Sequence, residues 1–273
     1  MNTNYIISLD LDETLLKSDT TLSAYTIKVI NQLIDQGIHV IANTARSHTI
    51  IPDAVSKIHF KHYICSNGAT IYDVAKKEVI FTHKIKDETV KDILDRTKDL
   101  QLSATIATTK GLYSTPIFKD RFTNTQLPKE KVAEILNSRS YVNDLLELLA
   151  YPEDIQKVQF NFRNNEKALY LHHFENIANV SITSSHDNNL EITNENASKG
   201  KTIHTYAQLF NIEDPYIIAY GDNLNDLAQM EYADRFTAMK NGHPEVLAQA
   251  TLISEFSNEE DGVAKDLADY FKL

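Results

Sequence analysis

Tyr5-Ile6-Ile7-Ser8-Leu9-Asp10-Leu11-Asp12-Glu13-Thr14 sets a short β-rich run directly against two aspartates. The helix-like stretch Leu22 to Gln36 comes next, with Ile27, Ile30, Leu33 and Ile34 on one face. Gly37 is its natural stop. Ile38 to Ala42 reads as a second strand, Ser47 to Ile58 as a helix, and Tyr63-Ile64-Cys65 as a third strand. Near-continuous apolar strands separated by amphipathic helices predict a parallel sheet covered on both faces. Asn67-Gly68 then marks a turn before Thr70-Ile71-Tyr72 and Val79-Ile80-Phe81, a hairpin pattern.

From about Lys84 the rhythm changes. Helical patterns at Asp87–Leu100, between Glu130 and Ala150, and at Glu166–Ile177 mix with strands at 103–108, 112–115, 155–162, 180–184 and 190–193. After Lys199 strict alternation returns and runs to a last helix at Asn258–Phe271. The expected fold class is α/β: a Rossmann-like parallel sheet with helices on both faces, carrying an inserted α+β domain. The expected ranges are 1–83 and 190–273 for the discontinuous core and 84–189 for the insert.

Composition narrows the function. The 273 residues are 42% hydrophobic and 24% charged, an ordinary globular balance. The single cysteine, Cys65, excludes an internal disulfide and a cysteine-based zinc cluster. No apolar run approaches the ~20 residues of a membrane helix. The polar start, without a basic segment, favours a soluble cytoplasmic protein with no membrane partner. A formal charge of −11 argues against a nucleic-acid partner, which would need a basic face. It does not exclude an anionic substrate, because a metal ion and a few local cations can supply positive charge.

Four segments could carry chemistry, and all lie at strand ends, where ligands bind in open parallel sheets. Asp10-Leu11-Asp12 is either part of such a site or a helix cap and loop. Gly221-Asp222-Asn223-Leu224-Asn225-Asp226 follows the apolar run Tyr216 to Tyr220. Its bland reading is an Asx-turn; its chemical reading is a second acidic strand end that shares a hard cation with the first. Thr44-Ala45-Arg46 offers a hydroxyl and backbone N–H groups at a helix start, suited to phosphate. Lys199 opens the helix that resumes the alternation.

In this order, these segments resemble motifs one to four of the haloacid dehalogenase-like hydrolase superfamily, closest to its Cof-type phosphatase branch. Ser66-Asn67-Gly68-Ala69 and Glu260-Asp261-Gly262-Val263-Ala264 match branch signatures as well. The resemblance spans nearly the whole chain and makes the insert the branch's α+β cap. Two positions depart from the pattern: the family usually has Gly at Glu13 and at Ala45.

The resemblance implies a Mg²⁺-dependent phosphatase acting on small phosphomonoesters, most plausibly sugar phosphates, through an aspartyl-phosphate. Asp10 would be the nucleophile and Asp12 the general acid and base. Asp10, the main-chain oxygen of Asp12, and Asp222 would hold Mg²⁺. Thr44, Lys199 and Asn225 would hold phosphoryl oxygens, with the N–H groups of Leu11 and Ala45. Asp226 would orient Lys199 or a metal-bound water; Arg46 is either a supporting contact or a surface residue. Phosphomannomutase-like transfer and a non-catalytic phospho-ligand sensor remain alternatives at this stage, and the sequence leaves the oligomeric state open. His59, His62 and Cys65 read as structural residues.

Overall fold

A computed structural model describes residues 4–122, 129–151, 153–163, 166–185 and 188–273. The chain divides into two compact units, Met1–Phe81 with Ser198–Leu273, and Thr82–Ala197.

The first unit is built on β1 (Tyr5–Leu9), β2 (His39–Asn43), β3 (His62–Cys65), β4 (Thr70–Asp73) and β5 (Glu78–Thr82). The returning chain adds β12 (Tyr216–Gly221), β13 (Arg235–Ala238) and β14 (Leu252–Ile253). Their order is β14-β13-β12-β1-β2-β3-β4-β5. β1 lies inside the sheet, parallel to β12 on one side and β2 on the other. Ile7 and Leu9 join one apolar layer with Val29, Ile30 and Leu33 of helix α1 (Ala24–Asp35) and Leu267 of α8 (Gly262–Phe271). Ile6 joins the opposite layer with Ile203 and Tyr206 of α5 (Lys199–Leu209). Burial on both faces is why this strand reads as an apolar run rather than an alternation. Full burial of each such side chain contributes about 1.5–3 kcal/mol. Ser23 caps α1 by accepting from the N–H of Thr26, and Gly37, at φ 89, ends it.

The expected helix over 47–58 does not form. Two short turns, His48–Ile50 and Asp53–Lys57, replace it. Pro52 lacks an N–H, and Ile51 before it is extended, as residues preceding proline are.

The second unit holds β6 (Ser103–Thr108), β7 (Leu112–Ser114), β8 (Ser140–Tyr141), β9 (Ile155–Asn161), β10 (Val180–Thr183) and β11 (Asn189–Asn194), ordered β10-β11-β9-β6-β7-β8. Helices α2 (Asp87–Thr97), α3 (Lys129–Asn137) and α4 (Lys167–Tyr170) belong to it. The stretch expected as one helix over 166–177 is α4 followed by a 3-10 turn, Leu171–Phe174. Ala104, Ile106, Val158, Phe160, Leu190 and Ile192 pack with Val90, Ile93 and Leu94 of α2. Strand alternation turns Ser103, Thr105, Lys157, Gln159, Asn161 and Glu191 to the other face. Residue 190, the expected start of the returning core, lies within β11 of this sheet; the chain re-enters the first unit at Ser198. Among the described residues, no helix is long and apolar enough to cross a membrane.

Lys157 and Glu191 form a buried ion pair, with 7% and 2% of their side chains exposed. Lys157→Met removes the ammonium beside the buried Glu191 carboxylate and should cost about 3–5 kcal/mol in a urea unfolding experiment. Adding Glu191→Leu should recover most of that loss.

Candidate active site

The end of β1 delivers Asp10 to the sheet's carboxyl rim. The Asp10 N–H still reaches the Tyr220 carbonyl of β12 at 3.2 Å, so the backbone stays in sheet register up to this residue. The chain then coils through Leu11–Leu15, with Asp12 extended and Glu13 left-handed at φ 56. This left-handed residue occupies one of the two positions where the resemblance expects glycine. Its carboxylate is turned to the Ser18 hydroxyl and the Asn258 amide. The other departure, Ala45, is absent from the residues with positive φ, so a side chain there carries no such strain.

Lys199 is fully buried. Its Nζ donates to Asp10 Oδ1 at 2.6 Å and to Asp226 Oδ1 at 2.7 Å. A buried ammonium is retained only when such partners compensate its lost hydration. Asp222, at the end of β12, accepts from the Thr14 hydroxyl at 3.1 Å. Asp10, Asp222 and Asp226 bring one oxygen each to within 4.8 Å of one another. Three carboxylates thus gather around one ammonium, and oxygen donors in such an arrangement suit a hard divalent cation.

Asp226 is the least available of the three. Its Oδ1 accepts from Lys199 and from Gln229 Nε2 at 2.8 Å; its Oδ2 accepts from the N–H groups of Asp222 and Asn223, both at 3.1 Å. A carboxylate has about four acceptor positions, and all are taken. The residues therefore fit a cation held by Asp10 and Asp222, with Asp226 fixing Lys199 and the loop beneath.

The support extends further than the sequence indicated. Gln229 Oε1 accepts from the Ser8 hydroxyl at 2.6 Å and from the Asn43 amide at 3.3 Å. Asn43 also donates to Ser8 Oγ at 3.0 Å and to the Lys199 carbonyl at 2.9 Å. Ser8, Asn43 and Gln229 are wholly buried. A serine inside an apolar strand was the one visible sign of this network.

Thr44 is buried at the end of β2, and Asn225 donates to Asn67 Oδ1 at 3.1 Å. Asp12 is paired with Arg46. Arg46 Nε and Nη2 grip both of its oxygens, at 2.8 and 2.7 Å, while Nη1 donates to the Ile50 carbonyl at 3.1 Å. Arg46 is thereby tied to Asp12 and to the turn after β2.

A family model of haloacid dehalogenase-like hydrolases matches residues 7–267. The chain belongs to this family. It is 26% identical to phosphatase YwpJ of Bacillus subtilis, over 95% of this chain and 97% of that protein. It is 27% identical to the same organism's 5-amino-6-(5-phospho-D-ribitylamino)uracil phosphatase YwtE, over 94% and 95%. A solved haloacid dehalogenase-like hydrolase from B. subtilis superimposes with a TM-score of 0.83 at 26% identity, covering 96% of this chain and 98% of that one. The chain is an enzyme of the family's Cof-type phosphatase branch.

Burial, the largest cause, pushes the Asp10 carboxyl up to about 7, with Lys199 pulling it back and Asp226 and Asp12 raising it further. Burial and then repulsion from Asp10 and Asp226 push Asp222 up to about 9. Both groups hold a proton more tightly folded than unfolded. Their contribution to stability is therefore complete below about pH 4 and is lost as pH rises through 7 and then 9. Urea unfolding in chelator should show this decline, and Asp222→Asn should remove its alkaline part.

Proposed function

We propose that this enzyme hydrolyses small phosphomonoesters, sugar or polyol phosphates in particular, with Mg²⁺ and through an aspartyl-phosphate on Asp10. The observation that carries the reading is the contact of Asp10 with buried Lys199 beside Asp222. A carboxylate at the rim, a fixed ammonium and a place for a cation are what phosphoryl transfer to a side chain requires. The name of YwtE, which includes a phosphorylated ribityl group, supports the polyol class.

Asp10 Oδ would attack phosphorus and release the alcohol, and water would then cleave the acyl phosphate and regenerate the carboxylate. Asp12 would give a proton to the departing oxygen and take one from that water. Lys199, Thr44 and Asn225, with the N–H groups of Leu11 and Ala45, would hold the phosphoryl oxygens as charge redistributes. Asp10, the Asp12 main-chain oxygen and Asp222 would hold Mg²⁺, which offsets repulsion between nucleophile and phosphate when bound.

Purified full-length protein should release inorganic phosphate from polyol phosphates with Mg²⁺, stop in chelator, and lose the activity with Asp10→Asn. Full turnover in chelator, or by the Asn variant, would refute this mechanism. A requirement for a bisphosphate activator without phosphate release would indicate mutase chemistry instead.

The Arg46 fork gives a finer test. It fixes the carboxylate that must protonate the leaving oxygen, and nitrophenolate leaves without that help whereas an alkoxide does not. Because kcat/KM reports steps only through alcohol departure, Arg46→Ala should lower it about 10²-fold for alkyl phosphates. Nitrophenyl phosphate should lose several-fold less, and Arg46→Lys should recover part of the difference.

A further inference from the structure

We propose that the left-handed turn Ser66-Asn67-Gly68 is the positioning element of the phosphate-holding residues, with Asn67 aiming the Asn225 amide. The proposal rests on the phosphatase reading and assigns a task to a segment for which that reading has none.

Three consecutive residues after β3 have positive φ: Ser66 at 53, Asn67 at 56 and Gly68 at 90. Two of them carry side chains, and L residues disfavour this conformation. Strained backbone persists where surrounding contacts over-determine it, and it concentrates at functional sites.

The contacts of this turn reach three of the phosphate-holding segments, those of Thr44, Lys199 and Asn225. The Ser66 N–H donates to the Arg46 carbonyl at 2.8 Å, and the Asn67 N–H to the Thr44 carbonyl at 3.1 Å. A trans peptide is planar, so fixing the Thr44 C=O also fixes the Ala45 N–H on the other side of the same unit. That N–H is one of those proposed to meet a phosphoryl oxygen. The Gly68 carbonyl accepts from the Thr202 hydroxyl of α5 at 2.7 Å. A Cβ on Gly68 would fall 2.3 Å from the carbonyl oxygen of Ser198, the cap residue directly before Lys199. Only glycine allows the turn to seat against the start of that helix.

The third contact is a side-chain one. Asn67 Oδ1 accepts from Asn225 Nδ2, and both residues are buried. Oδ1 is an acceptor only, so the pairing fixes which end of the Asn225 carboxamide donates. One Nδ2 hydrogen is spent on Asn67, and the second is left to a phosphoryl oxygen. Asn225 Oδ1 has no hydrogen-bond partner among the described residues.

Asn67→Gly separates the two functions of the turn. Glycine keeps the left-handed backbone and deletes the acceptor for Asn225. The variant should unfold near the wild-type midpoint while its kcat on an alkyl phosphate falls about tenfold to a hundredfold. In an Asn225→Ala background the same change should alter kcat less than about twofold, because the group it positions is gone. Wild-type kcat in Asn67→Gly, or equal losses in both backgrounds, would overturn the proposal. Wild-type protein that releases phosphate from no ester would instead refute the phosphatase reading. A crystal structure of Asn67→Gly needs no turnover: a rotated Asn225 carboxamide supports the positioning role, and an unmoved one overturns it.

Discussion

The buried ammonium of Lys199 is the constraint around which the first unit is organised. Without Asp10 and Asp226 at 2.6 and 2.7 Å, a fully buried charge there would be prohibitively unfavourable. The partners come from β1 and from the loop after β12, so both strands must end at the same level. Their parallel pairing, with Leu9 in register with Tyr220, sets that level. The apolar layers on either face hold the register, and a one-residue slip would turn every side chain of β1 to the wrong layer.

Around this pair the carboxylates divide their tasks by what already bonds to them. Asp226 is saturated by four donors and serves as a fixed anchor. Asp222 has one side-chain donor among the described residues, Thr14, and lies in the carboxylate cluster. Asp12 is held by a guanidinium fork and so stands in a different electrostatic setting from Asp10. Two carboxylates two residues apart thus have separate surroundings, Asp10 against a buried ammonium and Asp12 against a guanidinium.

Much of this was legible because it is local. Apolar runs ending in Asp10 and Gly221-Asp222 gave the strands and their rim, and the inserted α+β rhythm stood out against the alternation on either side. The helix expected over 47–58 fails at Pro52, which lacks an N–H and keeps Ile51 extended. The expected boundary at residue 190 fails because one apolar strand resembles another until its partners are known. The Ser8–Gln229 bond spans 221 positions, and neither residue type announces a partner at that distance. The pairings of Arg46 with Asp12 and of Asn67 with Asn225 likewise depend on which loops the sheet order brings together.

The interior place of β1 has a consequence for synthesis. Synthesis makes β1 long before one of its two neighbours, β12, which begins only at Tyr216. Until then one edge of β1 lacks its partner, with Ile6, Ile7 and Leu9 beside it. Such an edge is a template for pairing with other chains. The inserted unit, contiguous from Thr82 to Ala197, has all six of its strands at hand before β12 is made. The first unit therefore closes only once the returning segment Ser198–Leu273 supplies β12 to the open edge of β1.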